Sequence, residues 1–246
     1  MNKVRKLSML AVIVFFACMF TGCTELFLET SDDTETIFDS TGEIVTELEV
    51  VTETQKDEDY ILFGNYEQDS DVENGSESIQ WILLDDNGDS CLLLSRYILD
   101  YKDFNDTTIA KATSWGNSTL REWLNNDFVN SAFTESEQNE IKWTEVQDYK
   151  SENQLGDITS DKVFILSYSQ VLQYFPDEWS SATTSTEYAK TQKSYVTDSY
   201  WLIDSHSSAL YKYLINSEGI ADNKPRVNES EGIRPAIWVS KTAIEY

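Results

Sequence analysis

Apolar positions along this chain fall into three regimes. From Leu7 to Phe20 they run almost unbroken. From residue 24 to 59 they are scattered among acids and threonines. From Tyr60 onward they gather in short runs and helical stripes separated by turn residues. The densest stripe follows Ser114: Leu120, Trp123, Leu124 and Phe128 recur at helical spacing, so the pattern predicts a turn feeding a helix with one wide buried face. Asn117, Ser118 and Thr119 are all able N-caps, and Thr119 with Glu122 three residues later matches a capping box. Arg121 lies among these apolar positions. Its guanidinium needs fixed acceptors once the core closes over it, which assigns Arg121 and Trp123 a structural role.

The remaining short runs read mainly as strands. Residues 61–64 begin the folded part, and residues 79–84 and 91–94 form two strands around Asp85-Asp86-Asn87-Gly88-Asp89. Asn-Gly between apolar runs is a hairpin signal, because both residues tolerate positive φ. Asp85, Asn87 and Asp89 also resemble the opening of an acidic calcium loop, but the glycine is misplaced and no distal glutamate follows. A hairpin alone is expected there. Thr134 with Glu137 and Ser167 with Gln170 are further capping boxes, opening a short helix that ends near Trp143 and another that stops before Pro176. Residues 163–166 and 200–203 are strands, residues 144–160 a polar irregular stretch, and residues 177–199 a long loop of the kind that is functional or mobile. The closing run Glu231-Gly232-Ile233-Arg234-Pro235-Ala236-Ile237-Trp238-Val239 reads as one strand with a bulge or edge position at Pro235, ending the sheet. Arg234 and Trp238 are structural in this reading.

Composition adds location. Lys3, Arg5 and Lys6 precede the apolar run, which is short for a membrane span, and Thr21-Gly22-Cys23 follows it. This resembles the lipobox of bacterial lipoproteins, with Phe20 in place of the usual leucine. Residues 1–22 are therefore expected to be a lipoprotein signal peptide and Cys23 the lipidated residue. Cleavage would remove Cys18 and leave Cys91 without a disulfide partner, as a small core residue. Residues 23–59 hold thirteen Asp or Glu against the single Lys56, a composition that predicts a disordered acidic tether reaching on the order of 100 Å when extended. Residues 60–246 form a single globular domain with 31 acidic and 14 basic residues, a net charge of −17. So acidic a surface argues against nucleic acid as a partner.

Recognisable catalytic chemistry is sparse. His206 is the lone histidine, which excludes a multi-histidine zinc site. No phosphate loop, CxxC pair or HExxH occurs. Asp204-Ser205-His206-Ser207-Ser208 holds the residue types of a catalytic triad, but adjacent residues seldom converge, so a polar loop is expected. No catalytic residue, metal or cofactor is assigned. Trp179, Tyr188 and Tyr195 place three aromatic rings in the long loop, where they suit stacking against sugars or peptide side chains and are the candidate ligand-binding residues.

Several of these pieces occur together in one known pattern: Phe63-Gly64-Asn65-Tyr66, Ile79-Gln80-Trp81-Ile82-Leu83, Leu93-Leu94-Ser95, Trp115 through Asn125, Val163-Phe164-Ile165-Leu166-Ser167, Tyr200-Trp201-Leu202 and Gly232-Ile233-Arg234-Pro235-Ala236-Ile237-Trp238. In that order they resemble a bacterial domain of unknown function, family 6273, found in secreted and lipid-anchored proteins. That family in turn resembles the C-type-lectin-like superfamily that includes formylglycine-generating enzymes. The resemblance implies an α+β fold: a mainly antiparallel twisted sheet with two or three short helices and long loops. Ile203 stands where members usually carry arginine, and no cysteine follows Cys91, so the enzymatic branch's copper chemistry does not carry over. The expected protein is lipid-anchored on the extracytoplasmic face of the cell membrane, a non-catalytic binder of a surface glycan or protein. The alternatives are a hydrolase using loop carboxylates from 144–160 and 177–199, or a purely structural module.

Overall fold

The computed structural model describes residues 60–246 apart from 152, 153, 206, 207, 223, 224, 245 and 246, with backbone alone at 150, 151 and 178. Before residue 60 it describes the backbone of three strands. The chain divides into two units, Met1–Asp57 and Glu58–Tyr246. In the first, β1 (Ile13–Met19), β2 (Gly22–Ser31) and β3 (Thr34–Phe38) pair antiparallel in that order. These strands overlap the segments read above as signal peptide and tether, and the rest of residues 1–59 lies outside the described residues.

The second unit holds two five-stranded sheets and a hairpin. The first sheet contains β4 (Ile61–Tyr66), β5 (Glu77–Asp86), β6 (Ser90–Ser95), β10 (Val163–Phe164) and β15 (Ala236–Ser240), in the order β10-β15-β6-β5-β4. The second contains β7 (Asp100–Asp103), β11 (Tyr200–Ser205), β12 (Lys212–Ile215), β13 (Ala221–Asp222) and β14 (Ser230–Ile233), in the order β13-β12-β11-β14-β7. Pairing is antiparallel except between β11 and β14. β8 (Thr144–Ser151) and β9 (Gln154–Asp161) form the hairpin. The architecture is α+β and dominated by antiparallel sheet.

The helices are short. α1 (Thr119–Trp123) continues through a π-helical turn, Leu124–Phe128, into α2 (Val129–Ala132). α3 (Glu135–Glu140) and α4 (Tyr168–Tyr174) open on the two expected capping boxes, Thr134 with Glu137 and Ser167 with Gln170. The box expected at Thr119 does not form. Ser118 is the N-cap and accepts from the Arg121 amide, while Thr119 Oγ1 accepts from the Asp106 amide at 2.7 Å. With Arg121 rather than a glutamate three residues after the cap, no side chain returns the bond. The buried face of this helical run presents Phe128 to Phe133, whose ring stacks on Trp81 and leans on Phe63, 6.3 and 5.5 Å between centroids. Gly64, at φ +70°, is required here: an added Cβ would lie 2.5 Å from the Phe133 ring.

Three other expectations need correction. The closing segment is not one edge strand. β14 ends at Ile233 in the second sheet, and β15 begins at Ala236 in the interior of the first, between β10 and β6. Pro235 falls between strands, where its missing N–H costs no ladder bond, and its carbonyl accepts from Ser95 N at 2.9 Å. Residues 144–160 are the β8–β9 hairpin rather than irregular chain. Only one face of it is covered, Val146 and Asp148 being buried while Leu155 and Ile158 are exposed, so no apolar run marks it. The 177–199 stretch contains a 3-10 turn, Glu178–Ser181, and α5 (Glu187–Thr191), capped by Thr186. The hairpin at Asn87-Gly88 joins β5 to β6, with Gly88 alone at positive φ.

Arg234 lies where the chain changes sheets. It is 2 % exposed. Its Nε donates to Ser95 O at 2.8 Å, and one terminal nitrogen donates to Ser181 O and the Tyr200 hydroxyl at 3.0 and 3.2 Å. Its acceptors are therefore backbone and hydroxyl oxygens rather than a carboxylate. Gly232 just before it brings β14 against Ser199, whose carbonyl an added Cβ would meet at 2.4 Å.

Candidate functional site

The site is built from the hairpin inward. Asp161 at the end of β9 accepts from Trp115 Nε1 at 2.9 Å, Thr159 Oγ1 at 2.6 Å and Arg121 Nε at 2.6 Å. The Trp115 backbone amide donates to Asp148 Oδ2 at 2.7 Å. Trp115 thus ties both strands of the hairpin to the helical segment. Period-two alternation points Asp148 inward with Val146. Gly156 opposite leaves it room, since a Cβ there would fall 1.3 Å from Asp148 Oδ1.

Asp148 shares the interior with Asp204 of β11 and Lys212 of β12. All six residues of β11 are buried. Lys212 is fully buried; its Nζ donates to Ile203 O at 2.9 Å and lies 4.3 Å from the centroid of the Phe104 ring. Burial pushes its pKa down to about 8, against the opposing pull of Asp148 and Asp204. Burial raises Asp204 above the usual carboxylate range, opposed by the Tyr168 amide, by Lys212 and by the Tyr149 amide. The Tyr168 amide donates to Asp204 Oδ2 at 2.7 Å.

A slot of about 360 Å³ opens beside this cluster, lined by Tyr149, Tyr168, Ser169, Asp204, Ser205 and Tyr213. Its walls are mainly aromatic. Tyr168 and Tyr213 stack with centroids 4.9 Å apart and planes 8° from parallel. The three tyrosines are half-buried, and Tyr168 and Tyr213 pack against the core. Asp204 Oδ1, at the floor, and Ser205 Oγ, on the opposite strand face with its ladder partner Lys212, are sealed from solvent and have no hydrogen-bond partner among the described residues. The Tyr149 amide lies near enough to favour the Asp204 carboxylate, yet no donor reaches Oδ1 in bonding geometry. A buried polar atom left without a partner costs roughly 1–3 kcal/mol, which makes this cavity the candidate binding site. The size lies within the usual range of small-ligand pockets, about 300–1,000 Å³.

Two larger grooves carry no such atoms. One, of about 770 Å³, is bordered by Asp103, Asp106, Glu122, Trp123 and Asp127. Lys102 Nζ lies 4.4 Å from the Trp123 ring centroid. Desolvation first, then Asp106 and Glu229, raise the Asp103 carboxyl. The other, about 640 Å³, is lined by Tyr195, Asp198 and Glu231 among others.

The aromatic residues singled out in the sequence are not brought together in any of these cavities. Tyr195 lines the second groove, Trp179 stands exposed on its 3-10 turn, and Tyr188 packs edge-on against Tyr66 with centroids 5.8 Å apart. Trp123 and Trp238 are half-buried and packed against the core. Cys23 falls in β2, described by backbone alone. The segment Asp85–Asp89 is a tight hairpin whose Asn87 Oδ1 accepts from the Asp89 and Ser90 amides. Among the described residues, Glu67, Asp69 and Glu77 bring ligand-type atoms within 4.8 Å of one another.

The residues of the slot were partly visible in the sequence. In Tyr211-Lys212-Tyr213-Leu214, alternation places Lys212 on the same buried face as Leu214, a signal the lysine's charge conceals. Asp204 and Ser205 drew notice as members of a triad, but they are the continuation of β11, and His206 and Ser207 lie outside the described residues.

No helix among the described residues is long and apolar enough to cross a membrane. No curated protein and no solved structure matches the chain. The sequence profile of one family, the domain of unknown function DUF6273, matches residues 88–241, more than half of the chain. That span takes in β6, the Trp115–Arg121 anchor, the hairpin, the slot and the Arg234 crossing, and by it the chain belongs to the DUF6273 family.

Proposed function

We propose that this protein is a non-catalytic binding module, tethered by lipid at Cys23 to the outer face of the cell membrane, that recognises a glycan or protein of the cell surface through the tyrosine-lined slot. The observation that carries the reading is the partnerless carboxylate oxygen Asp204 Oδ1 at the floor of an aromatic cavity. Aromatic walls supply flat apolar area, and the floor supplies direction. One carboxylate borders the slot, whereas Asp148 lies behind it. That asymmetry favours binding over hydrolysis, which calls for two carboxylates facing one substrate. A C-type-lectin-like ancestry is part of this proposal, supported by the order of the aromatic and arginine motifs. The test is retention of solubilised cell-surface polymer by the full chain. Replacing Tyr213 by leucine should abolish retention with the fold intact, and retention unaltered by that change would count against the slot.

A second reading has one observation in its favour. Asp103, with its carboxyl raised in the groove that also presents Asp106, Glu122 and Asp127, has the environment of a general acid. Hydrolysis of a glycan lost in Asp103→Asn would move the protein to that class.

A further inference from the structure

The chemistry of the slot restricts what can fill it. Its floor offers an acceptor, Asp204 Oδ1, while the Asp204 Oδ2 position is already taken by the Tyr168 amide. Its walls offer the rings of Tyr149, Tyr168 and Tyr213. Electron-rich ring faces attract cations, by about 0.5–1 kcal/mol at exposed sites and about 2 when desolvated. The groups buried near the floor are unequal in number: two carboxyl groups, Asp148 and Asp204, act on one amine, Lys212, and that amine donates to the Ile203 carbonyl. The domain around them is itself strongly acidic.

Resting on the reading of the slot as the binding site, we infer that it takes an alkylammonium group, with an N–H donor directed at Asp204 Oδ1 and the aliphatic stem held between the tyrosine rings. An ammonium supplies all three things the slot lacks: a donor for the partnerless carboxylate oxygen, a positive charge beside the more numerous carboxyl groups, and a cation for the rings. A sugar hydroxyl supplies the first alone. Because Asp204 Oδ1 is sealed from solvent, the group must displace neighbouring side chains to reach it, which favours a slender chain end over a rigid ring. Lysine side chains and free polyamines share this chemistry.

The experiment is a titration of the full chain, followed through tyrosine ring resonances. The probes are cadaverine, a lysine-containing tripeptide blocked at both ends, the same tripeptide with norleucine, and glucose. The inference predicts saturable shifts at Tyr149, Tyr168 and Tyr213 with cadaverine, the lysine peptide or both, and at least tenfold weaker response to norleucine and glucose. Cadaverine alone would identify a free amine as the source; the lysine peptide alone, a polypeptide. Asp204→Asn, which retains an acceptor for the Tyr168 amide, should weaken amine binding at least tenfold. Tyr213→Leu gives a second loss, read at Tyr149 and Tyr168, should the first variant fold poorly. Equal response to the lysine and norleucine peptides, or amine binding unaffected in folded variants, overturns the inference. Glucose shifting these rings while amines do not would overturn it and leave the slot as a binding site. Silence of the rings toward every probe overturns the amine inference; silence toward cell-surface polymer as well removes the slot itself.

Discussion

Lys212 donates its proton to the carbonyl of Ile203 and not to the carboxylate of Asp204, the next residue along the same strand. The ammonium is held 2.9 Å from that carbonyl and no ion pair within 4.0 Å joins it to Asp204 among the described residues. The two charges share a buried neighbourhood without neutralising one another by contact. This relationship leaves Asp204 Oδ1 without a donor, and it makes the cluster sensitive to pH.

Stability should rise with pH just above 8. An unfolded lysine keeps its proton to about 10.5, whereas folded Lys212 releases it near 8. Between those values the unfolded state holds more protons, so each pH unit can add up to about 1.4 kcal/mol to folding. Buried tyrosines act in the opposite sense at higher pH: Tyr66 and Tyr200 are raised by burial, so folding loses stability once unfolded tyrosines ionise, near 10. Chemical denaturation between about pH 8 and 9.5 isolates the lysine. Lys212→Met should flatten the rise; an unchanged slope in that variant would show that another group is responsible.

Arg234→Ala should destabilise the domain by roughly 3–5 kcal/mol, because buried oxygens of Ser95, Ser181 and Tyr200 lose their donor where the chain changes sheets. Arg234→Lys should recover little, since one ammonium cannot reproduce the guanidinium's fork. A melting temperature within a degree or two of the parent would refute this role.

Arg121→Ala should cost less, on the order of 1–2 kcal/mol, because its side chain is 28 % exposed and solvent screens the pair. Asp161→Ala should cost more than Arg121→Ala, because Trp115 and Thr159 lose their acceptor as well. Comparing the two variants by urea denaturation tests the ordering. The reverse order would mean that the ion pair, not the tryptophan anchor, holds the hairpin.

Cys23→Ala should release the protein from the membrane fraction or leave an unprocessed precursor. Detergent partitioning unaltered by the substitution would remove the lipid anchor from the account.

Much of the frame was legible because local rules and tertiary demands agree there. Thr134 and Ser167 cap helices as their spacing predicts, and Asn87-Gly88 turns a hairpin. Thr119 does not cap, because Ser118 is placed better and the third residue after it is an arginine. The hairpin from Thr144 to Asp161 was hidden, because a strand covered on one face by Val146 and a buried aspartate reads as polar chain. Pro235 suggested an edge, whereas the structure uses it to pass between sheets, a choice set by long-range pairing with Leu94 and Phe164 through Ala236. The slot was the least legible part. Tyr149, Tyr168 and Tyr213 come from three separate elements, and no local pattern reports that they meet. Trp179 and Tyr195 drew attention by exposure on a loop, but exposure alone does not make a cavity.

The most direct measurement is resonance mapping of the full chain against solubilised cell-wall fragments, with tyrosine and tryptophan side chains observed together. The account predicts saturable shifts at Tyr149, Tyr168 and Tyr213, lost in Tyr213→Leu. Saturable shifts confined to Tyr195, Trp179 or Trp123, with the slot silent, would contradict it.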